Sequence, residues 1–321
     1  MSKCLSASII ICTCNRASDL RLTLAALSAV SVPAGMAAEL IVVDNGSTDD
    51  TADVIARCRL PQMQVRYLYE GRRGKGYALN SGIAAAQGEV LVFTDDDVRP
   101  FPIWLENICL PITGGGADAV LGRIEIAPHL KRPWIKTAHR IMLASTDWIG
   151  PSTSFTMIGA NMAVSRAVLT SIPSLDVELG PGAMGFAEET LFSYQMTEAG
   201  YQVKTAFDAP VEHHFDPTRL LRRNFLNQAV KQGRSEAYMA YHWFYRDIPD
   251  VRQQLLRQTL RLPYHRLRRR RDCAMPEGLP EWEIHIVQFK SFCRQFLIES
   301  RRPPNYDKHG LVKLRGRSSG S

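Results

Sequence analysis

Val90-Leu91-Val92-Phe93 runs through Thr94 straight into three consecutive carboxylates, Asp95-Asp96-Asp97. The apolar part reads as a buried strand, because β-branched and aromatic residues fill it without a break. The acids cannot be buried unpaired, since each desolvated carboxylate would cost several kcal/mol. Strands of this kind belong to open α/β sheets, which bind ligands beyond their carboxyl ends. Three adjacent like charges repel and call for a cation, and hard oxygen ligands on a short loop suit Mg2+ or Mn2+. A metal held there points to a phosphorylated substrate. A solvated acidic turn is the plain alternative, but such a turn would rarely follow so apolar a strand.

The preceding sequence repeats one unit. Ser8 to Cys12 reads as a buried strand, Thr13 to Ser18 as a turn, and Asp19 to Val30 as a helix with Leu20, Leu24 and Leu27 on one stripe. Glu39 to Val43 is a second strand, Asp44 to Asp49 its loop, and Thr51 to Cys58 a helix that Asp49 or Ser47 can cap. Val65 to Leu68 is a third strand, followed by the basic glycine loop Gly71 to Gly76 and a helix over Tyr77 to Gln87. Repeated strand-helix units predict a parallel sheet wound right-handed. Asp118 to Ile126 extends the sheet after Gly114-Gly115-Gly116. From Asp216 the character turns helical, over Thr218 to Tyr245, Asp250 to Leu262 and Leu279 to Ser300. The tail from Arg301, with Pro303-Pro304 and a Gly/Ser end, reads as poorly ordered.

Charge is unevenly distributed. Between Thr218 and Arg271 stand 14 Lys and Arg against 3 Asp and Glu, so with a formal charge of +7 overall the rest of the chain is net −4. A basic region on a mildly acidic body suggests an anionic partner, such as a membrane surface. Cationic helices with Trp243, Phe244 and Tyr245 fit an anionic bilayer, and solvated arginines on a packed helical subdomain are the alternative. The Arg268 to Arg271 run lacks any nucleic-acid module signature, so no nucleic acid is expected. No apolar run approaches the roughly 18 residues needed to span a bilayer, and the first residues lack a leader signature. The 7 cysteines are odd in number and contain no CxxC pair, so they read as buried free thiols. The expectation is a cytoplasmic protein, peripheral at most at the inner face of the plasma membrane.

Several residues could carry chemistry. Asp44 ends a buried strand and opens a loop of small polar residues that can face a base, ribose or phosphate, or can simply turn the chain. Arg72, Arg73 and Lys75 lie among glycines that let a backbone approach an anion. The spacing matches neither a Walker loop nor a dinucleotide fingerprint. Glu188 and Glu189 precede a helical stretch, where a first-turn carboxylate also suits the helix dipole. His213 and His214 follow an apparent strand, and histidine is a common metal ligand.

In order along the chain, Ser8-Ile9-Ile10-Ile11-Cys12-Thr13-Cys14-Asn15-Arg16, Val42-Val43-Asp44-Asn45-Gly46-Ser47-Thr48-Asp49, Gly74-Lys75-Gly76-Tyr77-Ala78-Leu79-Asn80, Thr94-Asp95-Asp96-Asp97, Gly159-Ala160-Asn161-Met162-Ala163 and Glu188-Glu189 together resemble the family 2 glycosyltransferases. The resemblance covers about residues 6 to 216. It implies a GT-A fold, a mostly parallel sheet flanked by helices, with a helical C-terminal extension here. It divides the chain into a catalytic domain over 1–216, with a donor-binding half over about 1–100 and an acceptor half over about 101–216. A basic helical region over 217–300 and a flexible tail over 301–321 would follow.

The resemblance also implies roles. Thr13, Asn15 and Asp44 would hold base and ribose with Arg16 beside them, and Lys75 would lie near the base or diphosphate. Asp95 and Asp97 would form the DXD motif that, with His213, holds a divalent metal, Mg2+ or Mn2+, Asp97 as its direct ligand and Asp95 nearer the ribose or sugar, while Asp96 orients the loop on the donor side. Glu189 would be the general base, with Glu188 as the alternative, because the family usually has Glu-Asp here. The implied reaction is metal-dependent, inverting transfer of a hexose from a nucleotide-sugar donor, expected to be UDP-linked. The acceptor would be a saccharide or lipid-linked saccharide in polysaccharide or glycolipid biosynthesis. No QxxRW signature of processive synthases is present, which favours single addition. A sugar nucleotidyltransferase would need a glycine-rich loop at Thr13 to Arg16, and a non-catalytic binding module would not need both acidic clusters.

Overall fold

A computed structural model describes residues 5–150 and 153–314, and there the strand-helix alternation builds one eight-stranded sheet. The strands are β1 (Leu5–Thr13), β2 (Met36–Asp44), β3 (Gln64–Tyr69), β4 (Val90–Asp95), β5 (Val98–Pro100), β6 (Ala119–Ile126), β7 (Asn161–Ser165) and β8 (Val203–His213). The helices are α1 (Ala17–Leu27), α2 (Thr51–Arg57), α3 (Lys75–Ala85), α4 (Trp104–Thr113), α5 (Thr137–Met142), α6 (Glu188–Glu198), α7 (Arg222–His242), α8 (Val251–Arg268), α9 (Arg270–Cys273) and α10 (Glu281–Glu299). The spatial order is β3-β2-β1-β4-β7-β6-β8-β5. β3, β2, β1 and β4 run parallel, as their crossover helices require, and β8 runs parallel to β6. β7 lies antiparallel to both β4 and β6, and the short β5 antiparallel to β8.

The unbroken apolar runs follow from burial on both faces of the sheet. Ile9 and Ile11 pack with Leu20, Leu24 and Leu27 of α1 on one side, while Ile10 packs with Ala78, Leu79 and Ile83 of α3 on the other. Register then aligns the strand ends. Thr13 pairs with Asp44, Cys12 with Asp95, and His213 with both Val98 and Ile126. One edge therefore collects the ends of β1, β2, β4 and β8.

The C-terminal helices are packed against the sheet domain. Gly233 of α7 permits a close crossing with α10, since a Cβ there would fall 2.1 Å from the Gln288 carbonyl oxygen. Glu283 is fully buried between Arg222 and Arg266. α8 continues through Pro263 to Arg268, beyond the expected end at Leu262. Trp243, expected at a membrane, is 2% exposed and stacked between Tyr194 and His309, and Phe244 packs edge-on against Trp243. Trp243 is core, and Phe244 is half-buried against it. Cys14 is exposed and Cys12 only half-buried, because β1 ends at Thr13, while Cys109 and Cys293 are buried.

The poorly ordered tail expected from Arg301 does not describe residues 301–314, and 315–321 lie outside the described residues. Tyr306 is 2% exposed, and its hydroxyl donates to Asp176 Oδ2 at 2.8 Å. Tyr238 donates to the same oxygen at 2.5 Å, and Lys313 Nζ reaches Asp176 Oδ1 at 2.8 Å. Burial would raise the Asp176 pKa, but Lys313 and Tyr238 hold it below the usual carboxylate range. Tyr306→Ala empties an aromatic site and strips a partner from a buried carboxylate, so it should cost about 3–5 kcal/mol in urea unfolding. A loss under about 1 kcal/mol would mean that the tail is not docked.

Candidate active site

The acids at the end of β4 are compensated from within the chain. Arg16, in the turn after β1, places its Nη2 2.8 Å from Asp97 Oδ2 and its Nε 3.3 Å from Asp96 Oδ1. Thr13 donates to Asp96 Oδ2 at 2.8 Å, and Thr23 to the Asp96 carbonyl at 2.6 Å. Lys75, at the start of α3, lies 2.7 Å from Asp95 Oδ1. The cation demanded by three adjacent acids is thus partly Arg16 and Lys75. Burial pushes the Asp96 carboxyl up to about 7, against the pull of Arg16. Asp97 is buried too, yet His213 and Arg16 hold it well below the usual carboxylate range. Burial would lower the Lys75 pKa, but Asp95, Glu189 and Glu188 raise it well above normal.

The donor-side loops are stitched together. Asn15 adopts a left-handed backbone (φ 54°), and its Oδ1 accepts from the Thr48 amide at 2.7 Å. Asp44 accepts from the Ser47 amide at 2.8 Å and the Tyr67 hydroxyl at 3.1 Å. Asn45, which the sequence reading passed over, bonds the Glu70 and Arg72 carbonyls and the Gly74 amide, and so fixes the glycine loop. Arg72 is tied back to Glu70, whose carboxyl is lowered to about 2 chiefly by Arg72 and then Ser81. Lys75, rather than Arg72, is the cation this loop delivers to the acids.

Glu188 and Glu189 begin α6 after a left-handed Ala187 (φ 80°), a costly conformation for a non-glycine residue. A loop with positive-φ Gly180, Gly182 and Gly185 leads in, and these closely spaced glycines before the acidic pair were a readable signal of a tight loop. The Lys75 amide donates to the Pro181 carbonyl at 2.9 Å, joining this loop to the Lys75 loop. Glu189 Oε1 stands 3.7 Å from Lys75 Nζ and accepts from the Gly159 amide at 3.2 Å. Glu188 is 2% exposed, and burial, then Glu189, raises its pKa well above normal. Asn161 is a structural clamp, bonding Trp104 and the Arg123 and Ala209 carbonyls. A Cβ on Gly159 would sit 2.5 Å from Glu189 Oε1. Gly159→Ala should therefore displace Glu189 and lower kcat at least tenfold, with nucleotide affinity unchanged in calorimetry.

β8 carries His213 to Asp97, with its Nε2 3.3 Å from Asp97 Oδ1 and its Nδ1 3.0 Å from the Leu143 carbonyl. A carbonyl only accepts, so Nδ1 bears the hydrogen and Nε2 faces the carboxylate. The gap between Nε2 and Oδ1 needs a proton or a metal ion, and a carboxylate with an oriented imidazole suits a divalent cation. Among the described residues no three His, Cys, Asp or Glu converge to hold a metal alone. A Mg2+-like site usually completes itself with substrate phosphates and water. Arg219 was missed in the sequence. It lies over the Phe215 ring at 5.1 Å, within electrostatic reach of Asp97 and Asp95. Nothing in the local sequence marks it, because the turn after β8 is brought here by long-range pairing.

A mixed sheet with acids and cations gathered at its strand ends, and a second acidic pair at the start of α6 beside them, has the architecture of the GT-A class. The sequence profile described as "Glycosyl transferase family 2" matches residues 8–172, and the chain belongs to that family. It is 34% identical to the glycosyltransferase AglE of Haloferax volcanii over 119 residues, 37% of this chain and 39% of that protein. It is 39% identical to the glucosyl-3-phosphoglycerate synthase of Mycobacterium tuberculosis over 97 residues, 27% of this chain and 28% of that one. The matches thus span well under half the length of these relatives. A mannosyltransferase from Pyrobaculum calidifontis, in complex with GDP-Man and Mn2+, shares the fold at TM-score 0.51 and 20% identity, covering 72% of this chain and 61% of that one. S. aureus TarS 1-349 matches at TM-score 0.50 and 16% identity, over 92% of each chain.

Proposed function

We propose that this glycosyltransferase moves a hexose from a nucleoside-diphosphate sugar, UDP-linked, to an acceptor hydroxyl in one inverting, metal-dependent step. The observation that carries the reading is Lys75, whose ammonium lies between Asp95 at 2.7 Å and Glu189 at 3.7 Å. Asp95 at the end of β4 and Glu189 of α6 thus share one cation. Thr13, Asn15, Arg16 and Asp44 would hold base and ribose. Asp97 and His213, with Asp95 beside them, would hold a divalent metal whose charge offsets that of the departing diphosphate. Arg16, Lys75 and Arg219 add positive charge on the same side, and Asp96 anchors the loop through Thr13.

Glu189 takes the acceptor's proton. Its Oε1 is fixed by the Gly159 amide, and it is the less enclosed of the acidic pair. Glu188, enclosed and with its carboxyl pKa raised by burial and by Glu189, supports α6 rather than accepting a proton. The acceptor oxygen then displaces the diphosphate through an oxocarbenium-like transition state. No covalent intermediate is needed. The neighbouring mannosyltransferase holds GDP-Man with Mn2+ on this fold, which is compatible with the reading.

The donor half over about 1–100, the acceptor half over about 101–216 and the helical part from 217 remain our working division. The acceptor is a saccharide or lipid-linked saccharide of polysaccharide or glycolipid synthesis, reached by peripheral contact with an anionic membrane. Proton NMR of the product from an α-linked donor should show a β linkage, and an α-linked product would overturn the single displacement.

A further inference from the structure

α8 packs on α10 with one face and leaves the other uncovered. Leu262 is buried, Val251 and Leu255 are half-buried, and Arg266 is anchored on Glu283 at 2.7 Å. On the opposite side Leu256, Leu260, Tyr264 and Leu267 are 60%, 64%, 56% and 79% exposed. At about 100° per residue these four fall within roughly 80° of arc, so they form one apolar stripe along the helix. Arg252 borders the stripe on one side, and Arg257, Arg261 and Arg268 border it on the other. Arg270 and Arg271 extend the basic surface at the helix end. Arg252, Arg257, Arg261, Arg270 and Arg271 form no ion pair among the described residues. No helix among them is long and apolar enough to cross a membrane.

We propose that α8 is an in-plane docking helix for an anionic lipid bilayer, with Leu256, Leu260, Tyr264 and Leu267 entering the headgroup boundary and the flanking arginines meeting lipid phosphates. An apolar stripe edged by cations on both sides is complementary to that surface, where acyl chains lie beneath fixed negative charge. A second copy of the chain fits poorly, because facing stripes would bring two sets of arginines together. The membrane contact moves accordingly from Trp243, which is core, and Phe244, which is half-buried against it, to α8. The inference deepens the reading of a membrane-borne acceptor, but vesicle binding needs no turnover and can be measured apart from it.

The test is flotation of the full chain with vesicles of phosphatidylcholine alone and of phosphatidylcholine mixed equally with phosphatidylglycerol. Binding is expected only to the anionic vesicles and should weaken as salt rises. Leu260→Asp with Leu267→Asp should abolish it. Arg252→Gln, Arg257→Gln and Arg261→Gln together should weaken it on the order of a hundredfold. All these residues are exposed, so thermal unfolding should match the parent. Equal binding to neutral vesicles, no effect of the aspartates, or a concentration-dependent dimer that they dissolve would each overturn the proposal. Nucleoside diphosphate release, assayed alongside with a soluble acceptor, should be unchanged in these variants. Its absence from the parent would count against sugar transfer and leave the docking result standing.

Discussion

Glu189→Gln is expected to lower turnover about a hundredfold to ten-thousandfold while nucleotide-sugar affinity stays near that of the parent. The amide keeps the size of the side chain but cannot accept the acceptor's proton. The Gly159 amide at 3.2 Å still finds an oxygen to bond, so the loop should hold its shape. Glu188→Gln separates the two acids. Burial and Glu189 keep the Glu188 carboxyl protonated well above the usual range, so a neutral amide there is nearly isosteric with the native group. Its turnover should remain within about tenfold of the parent. Single-turnover rates with saturating donor, set beside calorimetric affinities, decide the matter. If Glu188→Gln loses the chemistry and Glu189→Gln keeps it, the base lies one position earlier.

Asp97→Asn should abolish detectable transfer and weaken metal-dependent nucleoside diphosphate binding by about a hundredfold or more. Asp97 accepts from Arg16 at 2.8 Å and faces His213 at 3.3 Å, so its charge is set between a guanidinium and an imidazole. Removing its charge leaves Arg16 with Asp96 and Asp19, so the turn keeps its partners. Titration of UDP and GDP with and without Mn2+ should show the metal enhancement in the parent and not in the variant. Enhancement retained in Asp97→Asn would place the metal elsewhere.

Much of this site was legible because strand register and sequence order are tightly linked in a parallel sheet. Thr13, Asp44 and Asp95 end strands that pair in register, so the edge they share follows once the strands are recognised. His213 lies at the end of β8, beside Val98, and its approach to Asp97 depends on that late pairing. Arg219 was hidden for the same reason. It follows β8 in a short turn and carries no local pattern. The contacts of Arg16 with Asp96 and Asp97 were not legible, because only the folded turn brings its guanidinium to them.

The C-terminal part was the least legible. Its prolines and small residues read as loose chain, but Tyr306 finds a buried carboxylate 130 residues earlier in sequence. Trp243, Phe244 and Tyr245 looked like a membrane cluster by composition. Packing took Trp243 inward and half-covered Phe244, while Tyr245 stays at the surface with its hydroxyl on the Tyr306 carbonyl. The helical period of α8 was partly visible, yet which face its neighbours cover is set by α10 and Glu283, far along the chain.

The central claim is that these strand-end acids hold a metal-bound nucleotide sugar for transfer. It is tested most directly by nucleoside diphosphate release from a panel of UDP-, GDP- and dTDP-sugars, with Mn2+ or with EDTA. The account predicts release from a UDP-sugar in Mn2+, none in EDTA, and none from Asp97→Asn. Release that is undiminished in EDTA, or no release or binding with any donor in Mn2+, would contradict it.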